Sequence, residues 1–304
     1  MVESSSIELA KLSLEGLSVG DAFGEQFFGE PELVKSAIRH RQLPESPWHV
    51  TDDTIMALGI VEVLEQYHMI NQDALARTFA VNYHLNPTRG YGGMAHRILG
   101  EISCGGDWRS ISSAVFNGMG SFGNGGAMRV APLGAYFYED TQRVIEQARQ
   151  SAEVTHAHPE GKAGAIAVAL AAAFVSASAQ QSTSTSGKEM LEFVAALTPE
   201  SDTRSGIRTA LTLPFSSPVD TVVRTLGNGS YISAPDTVPF CLWCAAKHLE
   251  NYEEALWTTV SGLGDRDTTC AIVGGIVILA TGGQSIPEHW LNSREPQAHW
   301  KQER

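Results

Sequence analysis

The stretch TTCAIVGGIVILA, Thr268–Ala280, decides how the chain is read. It is apolar almost all round, so periodicity cannot separate a buried helix from a strand. Its 13 residues exceed an ordinary strand and favour a helix. Gly274 and Gly275 within it permit another backbone to approach closely. Working outward, TIMALGIVEVLEQY, Thr54–Tyr67, sets Ile55, Leu58, Val61, Val63 and Leu64 near the 3.6-residue period, with Glu62 and Glu65 on the opposite side. The same reading predicts helices over Ser5–Leu17, Gln72–His84, Tyr91–Ile102, Thr141–Glu153, Gly161–Ala179, Lys188–Leu197 and Val238–Leu249. Because no N-G or D-G turn sits between alternating segments, hairpins are not expected. The expected fold class is all-α. QQSTSTSG, Gln180–Gly187, reads as a polar surface loop, and similar composition on either side of it leads us to expect one domain over residues 1–304.

The formal charge of −13 would repel polyanions, and no Lys/Arg stripe offsets it, so nucleic acid is not an expected partner. The opening MVESSSIELAKLSLEG lacks a basic segment followed by an unbroken apolar run and does not read as a signal peptide. Ala163–Ser176, the longest uncharged apolar run, is shorter than the roughly 18 residues of a bilayer span. A soluble, cytoplasmic, monomeric protein is the expectation. Cys104, Cys241, Cys244 and Cys270 are too few and too scattered for a disulfide framework. Cys241 and Cys244 form a C-x-x-C with no second pair to complete a zinc site, so they are expected to be buried helix cysteines.

The chemistry concentrates in a few stretches. In WHVTDDTIM, Trp48–Met56, Thr51 or Asp52 can cap the helix that follows, a role worth about 1 kcal/mol, yet four polar residues stand where capping needs one. A second cluster, GLGDRDTT, carries Asp265 and Asp267 around Arg266, and Thr268 then opens the apolar helix. If the two helix mouths meet, four carboxylates repel one another unless cations neutralise them, and hard oxygen ligands suit Mg²⁺, Mn²⁺ or Ca²⁺. GMGSFGNGGAMR, Gly118–Arg129, offers close backbone approach and N–H groups for phosphate, or is a plain Gly-rich loop; no preceding strand supports a dinucleotide fingerprint. THAHPEG, Thr155–Gly161, holds two histidines that are either structural or ligand-binding. RGYGGMAHR, Arg89–Arg97, is either a turn before a helix or a loop over a ring-shaped ligand.

Together and in this order, these motifs resemble those of the ADP-ribosylglycohydrolase family, from LEGLSVGDAFG at Leu14 to GDRDT at Thr268. The pairing of T-D-D-T with G-D-x-D-T is specific; G-N-G-x-A-M-R and T-H add to it, and R-G-Y-G-G is nearer the serine-type acceptor hydrolases than the arginine-type ones. The resemblance implies a compact orthogonal multi-helix bundle with two Mg²⁺ ions, Mn²⁺ being a substitute, and ADP-ribose or an ADP-ribosylated protein as partner. It implies Thr51, Asp52, Asp53, Asp265, Asp267 and Thr268 as metal ligands. It further implies Ser121, Phe122, Gly123, Asn124, Gly125 and His156 against the ligand, with Tyr91, Gly92 and Gly93 at the adenosine end. Asp53 and Asp265 take catalytic roles in this reading. Relatives carry a flap glutamate where this chain has Phe28, and Glu25 is the chosen substitute. Two other readings share these residues: a non-catalytic ADP-ribose binder, and a metal-dependent hydrolase of nucleotide diphosphates.

Overall fold

A computed structural model describes residues 5–183 and 185–301. The helices run Ser6–Glu25 (α1), Pro31–Arg39 (α2), Asp52–Tyr67 (α3), Gln72–Leu85 (α4), Gly93–Ser103 (α5), Trp108–Gly118 (α6), Ala131–Tyr136 (α7) and Thr141–Glu153 (α8). They continue with Pro159–Gln180 (α9), Gly187–Leu197 (α10), Asp202–Ala210 (α11), Val219–Leu226 (α12), Ala234–Lys247 (α13), Tyr252–Ser261 (α14), Arg266–Thr281 (α15) and Glu288–Ser293 (α16). Among the described residues β-pairing is confined to two isolated bridges, Trp48 with Arg294 and Gly123 with Ser233, so the all-α expectation holds. Thr268–Ala280 is helical, inside α15. The polar loop lies between α9 and α10 as expected, with Ser184 outside the described residues, as are Met1–Ser4 of the N-terminal stretch.

Glycine spacing explains how the two ends of the chain meet. On α1, Gly16, Gly20 and Gly24 recur every four residues and so share one face. A Cβ on Gly16 would come within 2.6 Å of the Gly274 carbonyl oxygen, and one on Gly20 or Gly24 would overlap the carbonyl of Cys270 or Arg266. The partners fall in reverse order along α15, so the helices run antiparallel with their backbones nearly touching. Tyr252 Oη to Gly16 O (2.6 Å) and Ser13 Oγ to Gly275 O (2.8 Å) tie the same seam. The C-terminal end of α1, with Asp21, therefore stands beside the N-terminal end of α15, with Asp265 and Asp267. Gly20→Ala must push two backbones apart, and over-packing of this kind costs about 1–3 kcal/mol. A urea midpoint lowered accordingly is expected. Gly100→Ala, in a helical position with open space around it, should instead match or exceed the parent.

An aromatic cluster fixes the same end of α1. Phe23 stacks on Trp290 (4.5 Å between centroids) and meets Trp257 and Trp48 edge-on. α9 is the one helix among the described residues long and apolar enough by length and composition to cross a membrane, which the count over Ala163–Ser176 missed because the helix also takes in Pro159–Lys162 and Ala177–Gln180. Most of that helix is buried inside the protein, 72% of its apolar window, where it serves as a core element. Cys241 and Cys244 are buried on α13, as expected.

Candidate active site

The threonine of T-D-D-T is a helix cap and also part of a larger network. Thr51 precedes α3 in extended backbone, and its hydroxyl accepts the Asp53 N–H (3.3 Å). The same hydroxyl donates to Asp21 Oδ1 (2.8 Å). Asp21, fully buried on α1, also accepts the N–H groups of Thr51 (2.9 Å) and Thr54 (3.2 Å) and the Thr54 hydroxyl. This carboxylate locks the mouth of α3 onto α1, a role the sequence reading did not assign to it. Its only sequence signal is a lone aspartate in an otherwise apolar helical stretch, between two of the contact glycines.

The mouth of α15 closes the arrangement. Thr268 Oγ1 reaches Asp53 Oδ2 at 3.4 Å, across 215 positions of sequence. Asn124 Nδ2, from the Gly-rich loop, donates to Asp265 Oδ2 (2.7 Å) and to Thr237 Oγ1 (3.1 Å). Asn124 thus holds the acidic wall rather than standing free in the loop. Asp265 N donates to Asn228 O (3.2 Å), so the loop before α13 sets the register of the second cluster.

Charge is crowded here. Burial, then the charge of Asp21, pushes Asp52 up to about 8. Burial, then Asp267 and Asp21, raises Asp53 well above the carboxylate range, while burial and then Asp265 does the same to Asp267. Burial also raises Asp265 and Asp21. Among the described residues no three His, Cys, Asp or Glu side chains are drawn together as a metal set. The acidic groups instead alternate with the hydroxyls of Thr51 and Thr268. Asp53 Oδ1 and Asp267 Oδ1 are nonetheless buried without any hydrogen-bond partner. An unpaired buried carboxylate oxygen is costly, and two facing one acidic cleft are the donor type that a hard divalent cation takes.

The two acidic mouths open into a cavity of about 470 Å³, within the range of small-molecule sites. Asp52, Asp53, Asp265, Asp267 and Thr268 line it on one side; Ser121, Phe122, Gly123, Asn124, Gly125 and His156 line it on another, and Gly92 and Gly93 on a third. Glycine is required where the loop crosses His156, since a Cβ on Gly125 would stand 2.9 Å from His156 Cε1. Burial, then the charge of Arg129, pushes His156 down to about 3, so its imidazole is neutral.

Three predicted residues stand elsewhere. Tyr91 does not line the cavity: its ring is buried, 5.1 Å from that of Tyr83, and the helix expected from Tyr91 starts at Gly93, leaving Tyr91 beneath the loop. Thr51 is turned away toward Asp21, behind the cavity wall. Glu25 ends α1 outside the lining, near enough to Asp267 for its charge to raise that group. Phe28 is exposed, with the Arg266 guanidinium 4.9 Å from its ring centre.

The rim was unread. Phe116 and Phe122 stand 6.2 Å apart at the mouth, joined by Tyr231 and Ile232, all four exposed. Phe116 (φ 52°) and Ile232 (φ 50°) have left-handed backbone, which is unusual for bulky or branched residues and clusters at functional sites. The Ala234 N–H donates to Phe122 O (3.0 Å), fastening one rim segment to the other.

Comparison with known proteins shows the family of the chain. A sequence model described as ADP-ribosylglycohydrolase covers residues 4–302. The chain belongs to the ADP-ribosylglycohydrolase family. It is 31% identical to ADP-ribosylhydrolase ARH3 of Homo sapiens over 93% of this chain and 88% of that protein. It is 33% identical to ADP-ribosylhydrolase ARH3 of Bos taurus over 81% and 74% respectively. A solved structure titled ADP-ribosylglycohydrolase-related protein complex shares the fold, with a TM-score of 0.68 and 24% identity, covering 98% of this chain and 95% of that one. Hydrolysis of ADP-ribose linkages is the activity class of the ADP-ribosylglycohydrolase family to which the chain belongs.

Proposed function

We propose that this chain is a divalent-metal-dependent hydrolase that cleaves the glycosidic bond between the distal ribose of ADP-ribose and an acceptor group. One observation carries the reading: two acidic helix mouths share a single cavity with a Gly-rich loop and an aromatic rim. In this assignment the aromatic pair Phe116 and Phe122 receives the adenine ring, whose π-face stacks on such side chains. The backbone from Ser121 to Gly125 borders the diphosphate, and the distal ribose lies against the acidic wall.

Asp52, Asp53, Asp265, Asp267 and Thr268 would hold Mg²⁺, one or two ions, with Mn²⁺ as a substitute; the unpartnered Oδ1 atoms of Asp53 and Asp267 are the observation behind the fit. Bound there, the ion would polarise ribose hydroxyls and offset the negative charge of the wall. The chain's own residues then orient the sugar so that its anomeric carbon faces the carboxylates, which stabilise the positive charge of an oxocarbenium-like transition state. Water oxygen adds to that carbon as the bond to the acceptor breaks with its electron pair, and one water proton ends on the acceptor atom. Glu25, at the end of α1 beside the cavity lining, is assigned to relay that proton, because Phe28 stands where relatives carry a flap glutamate and has no proton to give.

The test is release of intact ADP-ribose from arginine-linked and serine-linked conjugates, followed by chromatography, with and without EDTA. Metal removal should lower the rate on the order of 10³-fold, the equivalent of several kcal/mol of lost charge stabilisation, and Mg²⁺ should restore it. Tight ADP-ribose binding without turnover would identify a binding protein. Production of AMP and ribose phosphate would identify a pyrophosphate hydrolase.

A further inference from the structure

Beneath the Gly-rich loop, one hydroxyl joins a buried cation to a ligand-facing ring. Arg129 is fully buried; its Nη2 donates to Thr155 Oγ1 (2.8 Å) and to Ser151 O (3.1 Å), and its guanidinium lies 4.5 Å from the centre of the Phe79 ring. Thr155 Oγ1 in turn lies 2.8 Å from His156 Nδ1. The opposite edge of the imidazole borders the loop: a Cβ on Gly123 would stand 3.2 Å from Nε2.

The direction of these bonds follows from donor counting. Guanidinium has no lone pair to offer, so Thr155 must accept from Arg129. The hydroxyl keeps one proton of its own, and Thr155 is buried at 3% exposure with no other oxygen or nitrogen partner for its side chain among the described residues. Were His156 to carry its proton on Nδ1, that hydroxyl proton would be buried and unpaired, an arrangement folded proteins avoid. The proton therefore goes to Nδ1, and the ring's own proton stands on Nε2. We infer that Thr155 and Arg129 are positioning residues that fix His156 as a neutral Nε2–H donor, aimed past Gly123 at an oxygen of the bound ligand. The ring is thereby excluded as a proton acceptor on its ligand-facing edge. This deepens the proposed reading and rests on it only for the nature of the ligand.

Two measurements separate the relay from that reading. Long-range ¹H–¹⁵N NMR of the ligand-free protein at neutral pH should show His156 as a single tautomer, protonated on Nε2. Thr155→Val should turn this signal into a mixture of tautomers and weaken ADP-ribose binding in calorimetry by about tenfold, the loss of roughly one hydrogen bond. Thr155→Ser, which keeps the hydroxyl, should restore both. A wild-type ring protonated on Nδ1 would overturn the proposal, as would a Thr155→Val protein with unchanged tautomer and affinity. Should Thr155→Val fail to fold, the wild-type spectrum and the serine variant still decide it. A fixed Nε2–H tautomer in a protein that does not bind ADP-ribose would support the relay and overturn the ligand assignment.

Discussion

Asp53→Ala should abolish metal-dependent hydrolysis while leaving the metal-free protein at least as stable as the parent. Asp53 connects the two clusters: its Oδ2 meets Thr268, and its Oδ1 has no hydrogen-bond partner. On the proposed metal-dependent reading, losing a carboxylate that would hold the ion should cost several kcal/mol in the transition state, on the order of 10³-fold in rate. The stability forecast has the opposite sign for a physical reason. Burial and then Asp267 raise the Asp53 pKa in the folded chain, so its ionised form opposes folding. A group with a raised folded-state pKa contributes fully at low pH and loses that contribution as pH rises through its folded value. The metal-free parent should therefore lose melting temperature as pH rises from about 4 toward 8, the value to which Asp52 is pushed. Removing Asp53 reduces that loss. Mg²⁺ at about a hundred times its dissociation constant should add about 2.7 kcal/mol to the parent and far less to the variant. Scanning calorimetry over that pH range, with EDTA or Mg²⁺, checks all three; retained activity beside a lower metal-free melting temperature would show that Asp53 serves the fold alone.

The extent to which this was legible in the sequence follows from what kind of interaction made each part. Helices with a plain apolar stripe, such as Asp52–Tyr67 and Gln72–Leu85, were visible because their periodicity is local. α1 was read only to Leu17, since the glycines at Gly20 and Gly24 look like helix breakers, whereas their lack of a Cβ is what the contact with α15 demands. The short helices α2, α11 and α12 sit within Pro-, Gly- and Ser-rich sequence that offers turns as readily as helices, and their choice is made by packing. Ala234–Lys247 begins four residues before the predicted start; Pro239 lies inside it and Pro235 in its first turn. At the site, the two acidic clusters were legible because the same short pattern occurs twice. Asp21 was not, because a single aspartate shows its purpose only when four donors converge on it. The rim residues Phe116 and Ile232 were likewise hidden, since left-handed backbone at a bulky residue is imposed by tertiary contacts.

Glu295→Ala should give the largest loss of stability, although Glu295 lies far from the cavity in sequence and does not line it. Its Oε1 accepts from the Arg89 guanidinium and from the Val50 N–H (2.9 Å), and its Oε2 lies 3.2 Å from His49 Nδ1. Arg89 Nη1 also donates to Val50 O (3.1 Å) and Nη2 to His299 O (2.8 Å), while the Arg89 carbonyl accepts the Asp52 N–H (2.6 Å). The C-terminal segment thus clamps the two stretches that flank the acidic wall. Truncating Glu295 strands the Arg89 guanidinium, 1% exposed, and removal of one partner from a buried pair costs about 3–5 kcal/mol. Burial alone would raise Glu295, but Arg89, then the Val50 N–H and His49, outweigh it and hold the pKa below the ordinary 4.5. A depressed folded-state pKa gives stability that is present above the unfolded value and lost as pH falls through the folded one, so the gap between parent and variant should be full at pH 7 and narrow below about 4. Glu295→Gln, which keeps acceptors but not charge, should fall between them. Because the lost clamp carries the Asp52 N–H contact, the alanine variant should also need more Mg²⁺ for half-maximal rate. Equal urea midpoints for parent and alanine variant at pH 7 would show that the buried arginine is satisfied by backbone carbonyls alone.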